Sequence, residues 1–107
     1  MKRGEVWWVN FGPSVGGEIQ KRRPAIIVSN DVANKFLNRL QVIPLTSKIE
    51  KCYPSETLVN VKRRQSKAVA DQITTVSKQR LTHMEGKISA SDLRKVEEAI
   101  LVQLGIR

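Results

Sequence analysis

Three consecutive cations, Lys21, Arg22 and Arg23, run directly into Pro24 and then into an unbroken apolar stretch, Ala25-Ile26-Ile27-Val28, closed by Ser29-Asn30-Asp31. The apolar run has the length and branching of a buried strand. Proline is tolerated at such a strand's first residue, where its missing N–H need not join the ladder. Arg23 is thereby held at the mouth of a rigid element. A guanidinium fixed there presents a planar fork that can donate two parallel hydrogen bonds to a phosphate. Thr46 closes a second strand-like run and brings a hydroxyl that can donate to a non-bridging phosphate oxygen. Glu18 precedes the cations and is a candidate base, or else the residue that orients Arg23.

The rest of the chain excludes several other chemistries. His83 is the single histidine, so a mechanism that uses two imidazoles is ruled out. No G-x-x-x-x-G-K-[ST] phosphate loop is present, and no acidic pair has a two-metal spacing. One cysteine and one histidine fall well short of the ligands that structural zinc sites use. No metal and no cofactor are therefore expected. RNA supplies a reaction that needs neither, because its 2′-hydroxyl is an internal nucleophile already close to phosphorus. The protein must steady the negative charge of the phosphorane and help move protons. Arg23 suits the first task, since a pKa above about 12 makes arginine a poor proton carrier.

At 107 residues the chain has room for one domain, expected over residues 1–107. Nineteen Lys and Arg against ten Asp and Glu give a formal charge of +9. For so small a domain this points to a polyanionic partner: nucleic acid, an acidic protein or an anionic membrane surface. No apolar run approaches the roughly 18 residues of a membrane span. The basic start Met1-Lys2-Arg3 leads into a strand-like segment instead of a signal core. Cys52, alone, cannot form an internal disulfide, which fits a reducing cytoplasm.

These residues must be positioned by the surrounding elements. Glu5–Phe11, with Trp7 and Trp8, reads as a first strand. Adjacent strand residues face opposite sides, so one tryptophan belongs in the core and the other at a subunit interface or the substrate. Gly12-Pro13-Ser14-Val15-Gly16-Gly17 breaks that strand into a loop. Ala25–Ser29 is the second strand, and Ser29-Asn30-Asp31 can cap a short helix over Val32–Leu37. Leu40–Ser47 is the third strand, and Pro44 predicts an edge or a bulge. Thr57–Val61 is the fourth. Lys62-Arg63-Arg64, a phosphate track or a solvated loop, leads to a fifth over Lys67–Ala70. Asp71–Val76 continues it irregularly, and Ser77–Leu81 forms one helical turn. Ser89 with Asp92 has capping-box spacing. Leu93, Val96, Ile100 and Leu104 then share one helical face, with Gly105 as its stop. Many short strands with regular turn signals and one terminal helix describe a small barrel or sandwich.

Four motifs in order resemble the MazF/PemK toxin endoribonucleases, and the match runs nearly end to end. Arg3-Gly4-Glu5-Val6-Trp7-Trp8-Val9 looks like the family's R-G-[DE]-[IV]-[WY] opening. Gly17-Glu18 with Lys21-Arg22-Arg23-Pro24 is similar to its G-x-E…K-x-R-P segment. Pro44-Leu45-Thr46-Ser47 resembles P-[LI]-T-[ST], and Asp71-Gln72-Ile73-Thr74-Thr75-Val76 with Arg80-Leu81 resembles D-Q-[IL]-R-T-[VI]…R-L. Two departures stand out. Thr74 replaces a frequent arginine, and Lys67-Ala68-Val69-Ala70 is less apolar than the usual S-V-V-L-[LP].

The resemblance implies a mainly β, α+β fold: a small SH3-like five-stranded barrel, PemK/CcdB-like, with a short helix and a C-terminal helix. It implies a homodimer that cuts single-stranded RNA without metal, leaving 2′,3′-cyclic phosphate and 5′-hydroxyl ends. It implies, too, an acidic, partly disordered antitoxin that covers the site and suits a +9 toxin. The essential arginine and threonine map onto Arg23 and Thr46, with Glu18 beside them. RNA contacts are expected from Lys21, Arg22, Ser29, Asn30, Ser47, Lys48, Gln72, Thr74 and Thr75. The word that is cut would be set by the Gly12–Gln20 loop and the segments after Thr46. Two other functions compete: a gyrase poison resembling CcdB, disfavoured by the absence of a C-terminal tryptophan, and a non-catalytic nucleic-acid-binding module.

Overall fold

The computed structural model describes residues 1–13, 16 and 21–106. Seven strands and two α-helices follow in the order β1 (Glu5–Asn10), β2 (Arg22–Ile27), α1 (Asp31–Phe36), β3 (Arg39–Thr46), β4 (Glu56–Val61), β5 (Arg64–Val69), β6 (Thr74–Ser77), β7 (Leu81–Lys87) and α2 (Ala90–Leu104). The strands form one antiparallel sheet in the order β4-β5-β3-β2-β1-β7, and β6 pairs with β3. The sheet curls until β4 comes back beside β7. At this closure a Cβ on Gly86 would stand 3.3 Å from Val61 Cγ1, so a larger residue there would push that methyl back by a few tenths of an ångström. The mainly β fold with a short helix and a C-terminal helix is as expected. β6 and β7 add to the five expected strands.

The unbroken apolar run of β2 is explained by burial on both faces. Ile26 joins Val6, Ile43, Leu45, Val59 and Val96 in a cluster covered by α2. Ala25 and Ile27, on the opposite face, join Val9, Leu40, Val42 and Leu81. A strand with two buried faces needs apolar residues consecutively, whereas a half-buried one alternates. β3 does the same through Ile43 and Leu45 on one face and Leu40 and Val42 on the other.

Pro44 does not mark an edge strand. β3 is paired on one side with β2 and on the other with β6 and then β5. On that second side the β6 pairing ends at Val42 and the β5 pairing begins at Leu45. The lapse at Ile43 and Pro44 lets a proline stand in an otherwise central strand. The segment after β5 is also more broken than expected, since a 3-10 turn at Ala70–Gln72 separates β5 from β6.

The helices begin and end as their cap residues dictate. Asn30 Oδ1 accepts from Ala33 N at 2.8 Å, and Ser89 Oγ accepts from Asp92 N at 3.1 Å. Asp92 does not complete a reciprocal capping box. Its carboxylate accepts from Asn60 N at 2.9 Å and so ties α2 to β4. Gly105 takes the left-handed conformation that closes α2. Val96 is buried and Leu93 and Ile100 pack beside it, but Leu104 is exposed, one turn beyond the sheet that the helix covers. The Arg3 motif is structural: its guanidinium bonds Glu97 at 2.7 Å and Val28 O at 3.0 Å, and its N–H bonds Asp31 at 2.8 Å.

Candidate active-site cleft

Arg23 lies near the start of β2 and Thr46 at the end of β3. The two strands pair in the register Ala25↔Pro44. Carried on by two residues, that register sets Arg23 opposite Thr46 on one face. Both therefore reach the same end of the sheet, where a cleft of about 210 Å³ opens. It is lined by Val6, Trp8, Arg22, Arg23, Pro24, Leu45, Thr46, Ser47, Val61, Arg64, Ser66 and Glu85. Strand ends from β1, β2, β3, β4, β5 and β7 thus converge on one place, and the curl of the sheet brings the last of them in.

Among the described residues three arginines and one carboxylate line the cleft, which gives that lining a positive charge. Among the described residues no carboxylate lies within ion-pair distance of Arg22, Arg23 or Arg64. Their guanidinium groups can therefore be offered to phosphate. Thr46 Oγ1 accepts from Lys48 N at 3.2 Å. That bond uses a lone pair and leaves the hydroxyl hydrogen to be donated. It also folds the chain after Thr46 back over the strand end.

Behind Thr46 stands a buried cation. Thr46 pairs across the ladder with Lys67 of β5. The Lys67 ammonium donates to Lys51 O at 2.8 Å and meets Glu56 Oε1 at 3.0 Å. Lys67 therefore anchors the loop between β3 and β4. The N–H of Tyr53 holds the Glu56 carboxyl below its ordinary range; burial opposes this, and the Lys67 ammonium adds to the lowering. The departure at Lys67 noted in the sequence is thus an ion pair inside the barrel wall. Glu5 is likewise lowered: burial raises it, but hydrogen bonds from the Trp7 indole and from Lys2 N, with the N-terminal charge, outweigh that.

The two tryptophans divide as alternation requires. Trp7 packs against the Val9–Ile27 cluster and donates to Glu5 Oε1 at 2.9 Å. Trp8 lines the cleft, donates to Glu85 Oε1 at 3.3 Å, and stacks on His83 with ring centroids 5.9 Å apart.

The expected RNA contacts fall into three groups. Arg22 and Ser47 line the cleft, and Lys21 and Lys48 adjoin them in sequence. Ser29 and Asn30 stand beyond the far end of β2. There Ser29 Oγ accepts from Gln41 N at 3.1 Å and Asn30 caps α1. Thr74 and Thr75 pair with Val42 and Gln41, on the half of β3 away from Thr46, and Gln72 lies in the preceding 3-10 turn. These five are not brought to the cleft. Glu18 and most of the Gly12–Gln20 loop lie outside the described residues. Sequence reasoning left Arg64 between a phosphate track and a solvated loop, and missed Ser66 and Glu85 as cleft residues. Arg64 and Ser66 arrive on β5, which begins earlier than expected, and Glu85 arrives on the unexpected β7. Gly86 in a polar run was the available signal, because an isolated glycine within a strand marks a bulge or a close approach.

Relatives agree with this architecture. Residues 2–104 match the family described as PemK-like, MazF-like toxin of type II toxin-antitoxin system. The chain is 37% identical over 115 residues to endoribonuclease MazF9 of Mycobacterium tuberculosis, covering 99% of this chain and 98% of that protein. It is 32% identical over 111 residues to endoribonuclease EndoA of Bacillus subtilis, with 99% and 96% covered. Among solved structures, MazF of Deinococcus radiodurans superposes with a TM-score of 0.86 at 26% identity, over 99% of this chain and 97% of that one. A mycobacterial endoribonuclease in complex with its cognate antitoxin gives a TM-score of 0.85 at 22% identity, over 100% and 97%, and bears on the fold alone. With the family matched across almost its whole length, the chain belongs to the PemK-like, MazF-like toxins of type II toxin–antitoxin systems.

Proposed function

We propose that this protein is a sequence-specific, metal-independent endoribonuclease toxin. It cleaves single-stranded RNA by attack of the 2′-hydroxyl, leaving a 2′,3′-cyclic phosphate and a 5′-hydroxyl. The observation that carries this reading is the placement of Arg23 and Thr46 at one end of the sheet, among the residues that line a cationic cleft. Arg23 takes the charge that builds on the phosphorane, and Thr46 donates its hydroxyl hydrogen to a non-bridging oxygen. Glu18 is assigned to the base, or to orienting Arg23, on the family motif. Arg22, Ser47, Lys21 and Lys48 guide the strand. Relatives named as endoribonucleases at 37% and 32% identity support the activity.

An acidic antitoxin is the natural partner of a +9 toxin, and a related fold has been solved with its cognate antitoxin. The protein acts as a homodimer in the cytoplasm on this reading. Exposed apolar side chains on and after α1, with Phe36 at 75% exposure, support an assembly that covers them. Among the described residues no helix is long and apolar enough to cross a membrane. The test is RNA cleavage by purified protein beside Arg23→Ala and Thr46→Ala. Each variant should fold normally and lose about 10²–10³ in rate, the usual cost of one preorganised donor. Undiminished cleavage by either would remove that residue from the mechanism.

A further inference from the structure

Among the described residues, Glu85 is the one carboxylate on a cleft lined by Arg22, Arg23 and Arg64. A negative charge there repels phosphate, so what it can recognise is another part of the substrate. Its position is built by a break in the ladder. The pairing of β7 with β1 passes from Val6↔Gly86 to Trp7↔Met84, which leaves Glu85 as the extra residue of a β-bulge. Bulges re-aim side chains and recur beside active sites. The half-buried carboxylate is oriented there, because Oε1 accepts from Trp8 Nε1 at 3.3 Å. Trp8 is itself backed by His83, with the two rings 17° from parallel. The result is an oriented acceptor beside an aromatic surface, among the residues that line the cleft with Arg23 and Thr46.

We propose that Glu85, oriented by Trp8, is a specificity-determining residue that reads a guanine next to the scissile phosphate. The proposal rests on the ribonuclease reading above and deepens it. An ionised glutamate only accepts hydrogen bonds. Guanine alone among the four bases presents two adjacent donors, N1–H and the N2 amino group, spaced for the two oxygens of a carboxylate. Adenine and cytosine each set one amino group beside an acceptor, and uracil flanks its single N–H with two carbonyls that repel a carboxylate. Single-stranded RNA leaves this edge open, and an aromatic neighbour favours a stacked base.

The experiment begins by mapping the cut word of wild-type protein on random single-stranded RNA. Cleavage of that word is then compared with guanosine or inosine at the guanine position. Inosine lacks only the N2 amino group. Wild type should require guanine at one fixed offset from the cut. It should prefer guanosine over inosine by about tenfold in kcat/KM, the worth of one hydrogen bond to a charged group. In Glu85→Gln the amide oxygen can keep the Trp8 bond, but its NH₂ then faces the donors of guanine. The preference should fall to within about twofold or invert. Where turnover is too slow, binding of the same RNA pair with a 2′-deoxyribose at the cut site gives the ratio. A purely structural role would lower activity on both RNAs alike. A wild-type word without a fixed guanine, or an unchanged guanosine-to-inosine ratio in Glu85→Gln, overturns the proposal. Wild-type protein that is folded and free of antitoxin, yet cuts no RNA, overturns the ribonuclease reading and this one with it.

Discussion

Glu56 and Lys67 form the least hydrated ion pair among the described residues, at 3.0 Å, with side chains 14% and 11% exposed. At that separation and an effective dielectric near 20 their attraction is about 5.5 kcal/mol. Desolvation of both ends offsets much of it. Glu56→Gln keeps an oxygen where Tyr53 N and Lys67 Nζ meet Oε1 but removes its charge, so the Lys67 ammonium is left without a counterion. Stranding one charge of a fully buried pair costs about 3–5 kcal/mol. The residual hydration here sets the expectation lower, at about 2–3 kcal/mol, or roughly 10–20 °C in Tm. The double variant Glu56→Leu with Lys67→Met removes both charges and should be more stable than Glu56→Gln alone. The assay is urea unfolding at one fixed protein concentration, since any oligomer couples stability to concentration. The carboxyl of Glu56 is held below its ordinary value near 4.5, so its contribution is present above that pH and is lost as pH falls through the lower, folded value. Wild-type stability should fall in that acid range more steeply than that of Glu56→Gln. A Glu56→Gln variant within about 0.5 kcal/mol of wild type at pH 7, with an unchanged acid profile, would refute the reasoning.

Asp92→Ala should destabilise by about 1–3 kcal/mol, because it leaves Asn60 N without its acceptor beneath α2; Asp92→Asn should cost clearly less, and equal losses for the two in chemical denaturation would contradict this. Lys62 and Arg63 form the two-residue turn between β4 and β5 with φ of 49° and 64°, a conformation that suits Asn-Gly far better. Replacing them by Asn-Gly should raise stability by about 1–2 kcal/mol, and weaken RNA binding through the loss of two cations beside the Arg64 side of the cleft, read by unfolding midpoint and by filter binding; an unchanged midpoint would mean that the turn is not strained.

The parts of the fold written in local chemistry were legible in the sequence. Ala25-Ile26-Ile27-Val28 announces a buried strand, and Ser89 and Gly105 bracket the terminal helix. Asn30 marks the start of α1. The site's two central residues were legible for the same reason, since Pro24 pins Arg23 and the strand ending at Thr46 is apolar from Val42 to Leu45. Features decided by distant pairing were not legible. Pro44 looks like an edge residue because nothing local reveals that the β6 pairing stops and the β5 pairing starts around it. β7 is polar and largely exposed, Thr82-His83-Met84-Glu85, and is a strand only through its ladder with β1. Glu85 reaches the cleft by a bulge in that ladder, which no spacing rule contains. Ser29, Asn30, Thr74 and Thr75 show the converse: motif residues whose observed bonds belong to caps and ladders.

The central claim is that the cleft holds a phosphate while the RNA's own 2′-hydroxyl attacks it. Its most direct test is to digest a defined single-stranded RNA in excess EDTA and identify both new ends. A 2′,3′-cyclic phosphate on one fragment and a 5′-hydroxyl on the other are the predicted result. Fragments carrying 5′-phosphate, or cleavage abolished by EDTA and restored by a divalent ion, would contradict it.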